Sequence, residues 1–215
     1  MLYNRTLIIA PHPDDEVLGC GGLISRAVRE NKQVFVAYAT CADDVRHSEL
    51  VESCKFLGVT DYAIYSASRI WLDILPVNNL VSWVESLVNS WTPDCILFPT
   101  PTGFHQEHRA MALATLAALR PSGGTGRCRP STMAVYEEPF DSWTDDGNQF
   151  RPTMYVRLEQ QDIDNKCQAM HLHKSQDRPS PSERSEDAIR ALAALRGAQC
   201  GHPFAEAYEM RMLLR

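Results

Sequence analysis

Apolar positions fall along this chain in two alternating rhythms. Short runs rich in β-branched and aromatic residues, RTLIIA at 5–10, QVFVAYAT at 33–40, YAIY at 62–65 and DCILF at 94–98, have the length and composition of buried strands. Between and after them, 17–30, 47–57, 77–91 and 106–119 place apolar residues three or four positions apart, the spacing of helices with one buried face. Leu80, Val84, Leu87 and Val88 form one such stripe; Met111, Leu113, Leu116 and Leu119 form another. The resulting βαβαβαβα order predicts right-handed crossovers and a Rossmann-like, doubly wound α/β fold: a mainly parallel sheet, beginning in the order 3-2-1-4, flanked by helices.

Beyond Arg120 the rhythm breaks. RPSGGTGRCRPS (120–131) reads as a loop that is mobile or lies over a site, followed by strands at 132–138 and 153–158 and a helix at 162–173. A second polar loop ends in Ser182, the expected N-cap of a helix from 183 to about 196. Nothing in the punctuation calls for a second core, so 1–215 is read as one domain.

Composition narrows the partners. The chain is 44% hydrophobic and 22% charged, ordinary for a soluble globular protein. A net charge of −6 with no basic face argues against nucleic acid, whose affinity comes from cationic neutralisation, and favours a small molecule. The seven cysteines are odd in number and contain no CxxC pair, so reduced thiols are expected. No segment approaches the roughly 20 apolar residues of a membrane span and no leader pattern is present, so the expected location is the cytoplasm. Self-association into a homo-oligomer stays open.

The chemistry concentrates where the predicted topology would put it. Strands 1 and 4 of a 3-2-1-4 sheet are neighbours whose following loops diverge and open a ligand crevice. Those two loops carry PHPDDE (11–16) and PTPTGFHQEHR (99–109), the densest groups of ligating side chains in the chain. A dinucleotide is not expected there: Gly19, Gly21 and Gly22 stand inside the helix, and Ile24 occupies the place of the last glycine of GxGxxG. Those glycines are read as letting the helix approach the sheet.

His12 and Asp15, with one ligand from the His105/His108 pair, would make a two-His, one-carboxylate set with open positions, the pattern of a catalytic rather than a structural metal. Asp14, unable to reach the ion, would be free to take a proton from acidified water. Helix capping by Asp15 or Glu16 is the competing explanation, but it accounts for neither His12 nor two adjacent like charges. HxxH alone often marks two solvated or core histidines; its place after strand 4 favours ligation. A non-ligating member could, as imidazolium, stabilise an oxyanion or protonate a leaving amine.

PHPDDEVLGCGG closely resembles the (P/A)HPDDE signature of the PIG-L/LmbE-like family of zinc-dependent N-deacetylases, which act on N-acetylglucosamine-type groups. RHSELVESCKFLGV (46–59) is similar to the family's Arg-x-x-Glu helix, HQEH stands where it has His-x-x-His, KCQAMHLHKSQ (166–176) resembles its Lys…His-x-Ser-Gln stretch, and AEAY (205–208) resembles its ending. The resemblance implies His12, Asp15 and His108 as ligands of Zn2+ (Fe2+ or another divalent ion being an alternative), Asp14 as general base, and His105 as the group that stabilises the tetrahedral intermediate or acts as acid. It further implies Arg46, Asp73 and His173 as substrate-binding residues, and an amino sugar or glycoconjugate as substrate. Gln106 and Glu107 depart from the family's usual His-Pro-Asp-His.

Two rivals share some of these features. A non-haem iron oxygenase uses the same ligand types, normally on an all-β scaffold. A catalytically silent metal- and carbohydrate-binding module would need neither Asp14 nor His105. Trp83 is expected in the core, Trp71 and Trp143 are candidates for stacking on a sugar, and the 120–130 loop is a candidate cover for the crevice.

Overall fold

A computed structural model describes residues 3–121, 128–141 and 149–214. Its elements run β1 (Arg5–Ala10), α1 (Asp15–Arg29), β2 (Gln33–Thr40), α2 (Asp44–Leu57), β3 (Asp61–Ser66), a 3-10 turn (Leu72–Ile74), α3 (Val77–Trp91), β4 (Cys95–Pro99) and α4 (Gln106–Ala118). There follow β5 (Thr132–Tyr136), β6 (Met154–Leu158), α5 (Gln160–Leu172), α6 (Glu186–Cys200) and β7 (Phe204–Leu213). The strands form one sheet of order β3-β2-β1-β4-β5-β7-β6, parallel from β3 through β5, with β7 antiparallel to both of its neighbours. The 3-2-1-4 start and the mainly parallel α/β sheet are therefore as expected. Among the described residues no helix is long and apolar enough to cross a membrane, and all seven cysteines are free thiols.

The period of two in a strand, with helices on both faces, explains why β1 is apolar from Leu7 to Ala10. Leu7 and Ile9 pack against α3 and α4, whereas Ile8 and Ala10 pack on the other face with α1, α2, α5 and α6. The glycines of α1 serve close approach: a methyl group at Gly19 would run into the Tyr136 ring, and one at Gly22 into Leu158.

Two features depart from the pattern reading. Helix α6 starts at Glu186 and is capped by Ser185, whose Oγ accepts the Ala188 N–H at 3.2 Å. Ser182 instead closes the preceding turn, its carbonyl accepting from the Ser185 N–H at 3.0 Å and the Ser185 hydroxyl at 2.6 Å. Strand β7, FAEAYEMRML, contains no β-branched residue and only two aromatics, so its composition gives a weak strand signal. Tertiary contacts make it one.

A buried ion pair locks that strand in place. Glu206 of β7 accepts from Lys166 Nζ of α5 at 2.7 Å, from the Gly22 and Leu23 N–H groups of α1 at 2.8 and 2.7 Å, and from the Tyr208 hydroxyl at 2.9 Å. Glu206→Ala strands a buried ammonium and two backbone donors, and should lower the unfolding free energy by about 3–5 kcal/mol in a urea titration. The paired change Lys166→Met/Glu206→Gln removes the uncompensated charge and should lower it less. Equal losses in both proteins would show that the charge pair is not what matters.

Candidate active site

The β1–α1 turn folds around its own acids. Asp15 Oδ2 accepts the His12 N–H at 2.8 Å, and Glu16 Oε2 accepts the Asp14 N–H at 3.0 Å, so both acids hold the turn ahead of α1, whose N-cap makes no side-chain hydrogen bond to the helix. That role does not exhaust Asp15. The same oxygen, Oδ2, lies 3.3 Å from His12 Nδ1 and 3.3 Å from His108 Nε2. His12, Asp15 and His108 thus offer one donor atom each, all within 4.8 Å of one another.

His108 arrives from the far side of the crevice. β4 ends at Pro99 and α4 begins after His105, which serves as its N-cap, Nδ1 accepting the Glu107 N–H at 3.3 Å. One helical turn then carries His108 inward. Accepting at Nδ1 places the His105 proton on Nε2, and burial together with the nearby His108 and His12 rings lowers its pKa. With Nδ1 accepting, His105 presents its Nε2–H as a hydrogen-bond donor.

Each imidazole of the trio has a carboxylate behind it. His12 Nε2 lies 2.9 Å from Glu107 Oε2, and the other Glu107 oxygen accepts the Leu72 N–H at 2.9 Å. His108 Nδ1 faces Glu138 Oε1 at 3.7 Å. Carboxylates so placed fix the ring orientation of metal-binding histidines. A second group, His12, His105 and Glu107, also lies within ligating reach. Using it would displace the His12–Glu107 contact at Oε2, while the Leu72 N–H stays on the other Glu107 oxygen.

Asp14 is turned away from that trio. Arg46 NH2 donates to its Oδ1 at 3.0 Å and also to the Pro13 carbonyl, and Arg184 Nε stands 3.6 Å from its Oδ2. Oδ2 is buried and makes no hydrogen bond among the described residues. Burial and the neighbouring Asp15 raise the Asp14 pKa against the pull of Arg46 and Arg184. For Asp15 the balance reverses, because His108 and His12 outweigh burial and hold its carboxyl well below the usual range. Two adjacent carboxylates are driven apart in basicity by what surrounds them.

The residues present fit a divalent cation. Asp14, Asp15, Glu107 and Glu138 are all buried, and neither Glu138 oxygen has a hydrogen-bond partner among the described residues. Burial, with Asp15 and Asp141 close by, raises the Glu138 pKa well above its ordinary value. Excess buried negative charge is unfavourable unless a cation compensates it, and two imidazoles with a carboxylate suit zinc or ferrous iron.

Above these groups a cavity of about 520 Å³ opens, walled by Arg46, Arg69, Phe104, Phe140, Gln176 and Arg184. Arg46, named from the sequence, lines it and braces Asp14. Asp73 does not line it, but lies exposed in the 3-10 turn. His173 does not line it either: it is fully buried at the end of α5, its Nε2 3.4 Å from Glu16 Oε1. Trp71 is half-exposed beneath the Arg69 guanidinium, 4.4 Å from its ring centre, and Trp83 packs against the core. Trp143 and residues 122–127 of the 120–130 loop lie outside the described residues. The pattern reading missed Glu107, Glu138 and Arg184. Glu107 could have been found as the buried position between the two histidines of HQEH; Arg184, in a polar loop, gave no signal.

Comparison with known proteins agrees with this fold. The probable N-acetyl-alpha-D-glucosaminyl L-malate deacetylase 2 of Bacillus subtilis is 26% identical over 152 residues, which are 62% of this chain and 69% of the relative. A conserved protein from Thermus thermophilus superposes with a TM-score of 0.80 at 22% identity, covering 100% of this chain and 97% of that one. N,N'-diacetylchitobiose deacetylase from Pyrococcus horikoshii superposes with a TM-score of 0.76 at 21% identity, covering 97% and 84%. More than half of the chain, residues 7–119, matches the family described as GlcNAc-PI de-N-acetylase, and the chain therefore belongs to the PIG-L family.

Proposed function

We propose that this protein, acting as a single domain over 1–215, removes the acetyl group from an N-acetylglucosamine-type sugar or glycoconjugate in the cytoplasm. The observation that carries the reading is the meeting of His12, Asp15 and His108 donor atoms within 4.8 Å, beside an Asp14 oxygen that has no hydrogen bond. His12, Asp15 and His108 would hold the cation, zinc in the first instance and ferrous iron as the alternative. When bound, it supplies Lewis acidity toward an amide carbonyl and lowers the pKa of water to about 7.

The remaining work belongs to side chains. Asp14, with Oδ1 tied to Arg46 and Oδ2 open, takes one proton from the attacking water as its oxygen adds to the acetyl carbon. His105, protonated at Nε2, donates a hydrogen bond to the oxyanion that develops on the former carbonyl oxygen. The C–N bond then breaks, the proton held by Asp14 passes to the leaving nitrogen, and acetate and a primary amine are released. Arg46 holds Asp14 through both stages, and Arg69, Gln176 and Arg184 are placed to meet sugar hydroxyls.

The observed parallel α/β sheet removes the all-β scaffold on which the oxygenase reading rested, and the buried Asp14 with its open oxygen would serve no purpose in a silent binding module. The test is to incubate zinc-loaded protein with a panel of N-acetylated hexosamines and glycosides and to measure primary amine and acetate. Equimolar appearance of both is expected from at least one member. Binding without release of either supports the silent module.

A further inference from the structure

Asp14 has φ 115° and ψ −29°, outside the regions that residues with a Cβ ordinarily occupy. Among the described residues two other non-glycine positions have positive φ, Asn31 at 57° and Thr92 at 46°. Both follow helix C-termini and lie in the ordinary left-handed well. Asp14 is different in kind: it opens a helix, and strain of this sort persists only where surrounding contacts over-determine it.

Those contacts can be named. An aspartate at an N-cap normally turns its carboxylate onto the helix's first N–H groups. Here it makes no such bond, and its carboxylate faces Arg46 and the cavity instead. The holding contact on the backbone N–H of Asp14 is Glu16 Oε2 at 3.0 Å. Glu16 is itself almost completely buried, and behind its other oxygen stands the His173 ring, fully buried, with neither ring nitrogen hydrogen-bonded among the described residues.

We propose that Glu16, backed by His173, is a positioning residue: it clamps the backbone of Asp14 in this strained form, so that the carboxylate reaches the cavity rather than capping α1. His173 then acts through Glu16 instead of touching substrate. The proposal rests on the reading of Asp14 as general base.

The experiment compares Glu16→Ala, Glu16→Gln, Asp14→Gly and Asp14→Ala. Glu16→Ala should lose kcat on the order of 10–100-fold, as misplacement of a reacting group by about an ångström does, with KM and bound zinc within about twofold of wild type. Glu16→Gln keeps an oxygen that can accept the same N–H and should recover most of that kcat. In a crystal structure of Glu16→Ala, Asp14 should relax to negative φ. Asp14→Gly, free of the strain, should melt about 2–4 °C above Asp14→Ala, which loses the same carboxylate but keeps a Cβ at the strained position. Wild-type kcat in Glu16→Ala, or an unchanged positive φ at Asp14 in that variant, overturns the clamp. If Glu16→Ala does not fold, Asp14→Gly/Glu16→Ala decides: recovered folding supports the clamp, and continued failure overturns it. Should the wild-type protein release no amine from any N-acetylated sugar, the proposed function falls, while the φ and melting measurements still judge the clamp.

Discussion

His108→Ala is expected to lose the proposed divalent cation and, with it, turnover. Removing one of three protein donors opens the cage, since Asp15 Oδ2 loses one of the two imidazoles it holds at 3.3 Å. The Lewis acid and the acidified water leave together, which amounts to several kcal/mol, or a factor on the order of 1,000 or more in kcat/KM. Glu107→Ala should be milder. It frees the His12 ring without removing a ligand, so zinc affinity should weaken about 10–100-fold and excess zinc should restore activity.

Proton linkage supplies an independent reading of the same site. In the metal-free protein, burial pulls the His12 pKa down, but Asp15 and Glu107 overcome it and push the value up to about 9. A ligand must shed its proton to bind. Cation uptake near pH 7 should therefore release a proton, and apparent affinity should rise with pH until about 9. Elemental analysis after dialysis and calorimetry in buffers of different ionisation enthalpy measure both effects; stoichiometric zinc in His108→Ala would refute the ligand assignment.

Asp14→Asn should keep its zinc and lose turnover by a factor on the order of 100 or more, the contribution of a positioned general base. The amide retains an oxygen for the Arg46 contact at Oδ1, so the fold and the cage are preserved while the proton acceptor is lost. Stability should move the other way. In the metal-free protein, burial and Asp15 raise the Asp14 pKa, so ionising this carboxyl opposes folding, and the amide should raise the melting temperature there. Loss of activity with zinc retained and stability gained separates a general base from a structural acid. Near wild-type rates in the zinc-bound variant would remove Asp14 from the mechanism.

The sequence exposed the parts of this molecule that depend on near neighbours. β1 through α4 were legible because each apolar rhythm reports its own secondary structure, and because right-handed crossovers leave little freedom in how four βα units wind. The meeting of His12 and Asp15 with the His105/His108 pair followed, since the topology brings the two strand-end loops together. β7 was hidden: apart from Phe204 and Tyr208 its residues carry little strand preference, and it forms where β5 and β6 offer it two partners. The Ser182 cap was displaced because two serines three residues apart fit the same rule, and local chemistry could not choose between them.

What the chain alone determined, then, is a parallel α/β core with His12, Asp14, Asp15, His105 and His108 at its switch point, all products of spacing within one loop or one helical turn. Tertiary structure decided how those groups are held. Glu107 is 95 residues from the imidazole it orients, and Glu206 is 184 residues from the helix N–H it satisfies, separations at which no periodicity carries information. It also moved Asp73 to the surface and His173 beneath the floor, because burial is a property of the assembled layers. Local patterns select which atoms can do chemistry; packing between distant segments sets their direction, their charge and their access to solvent.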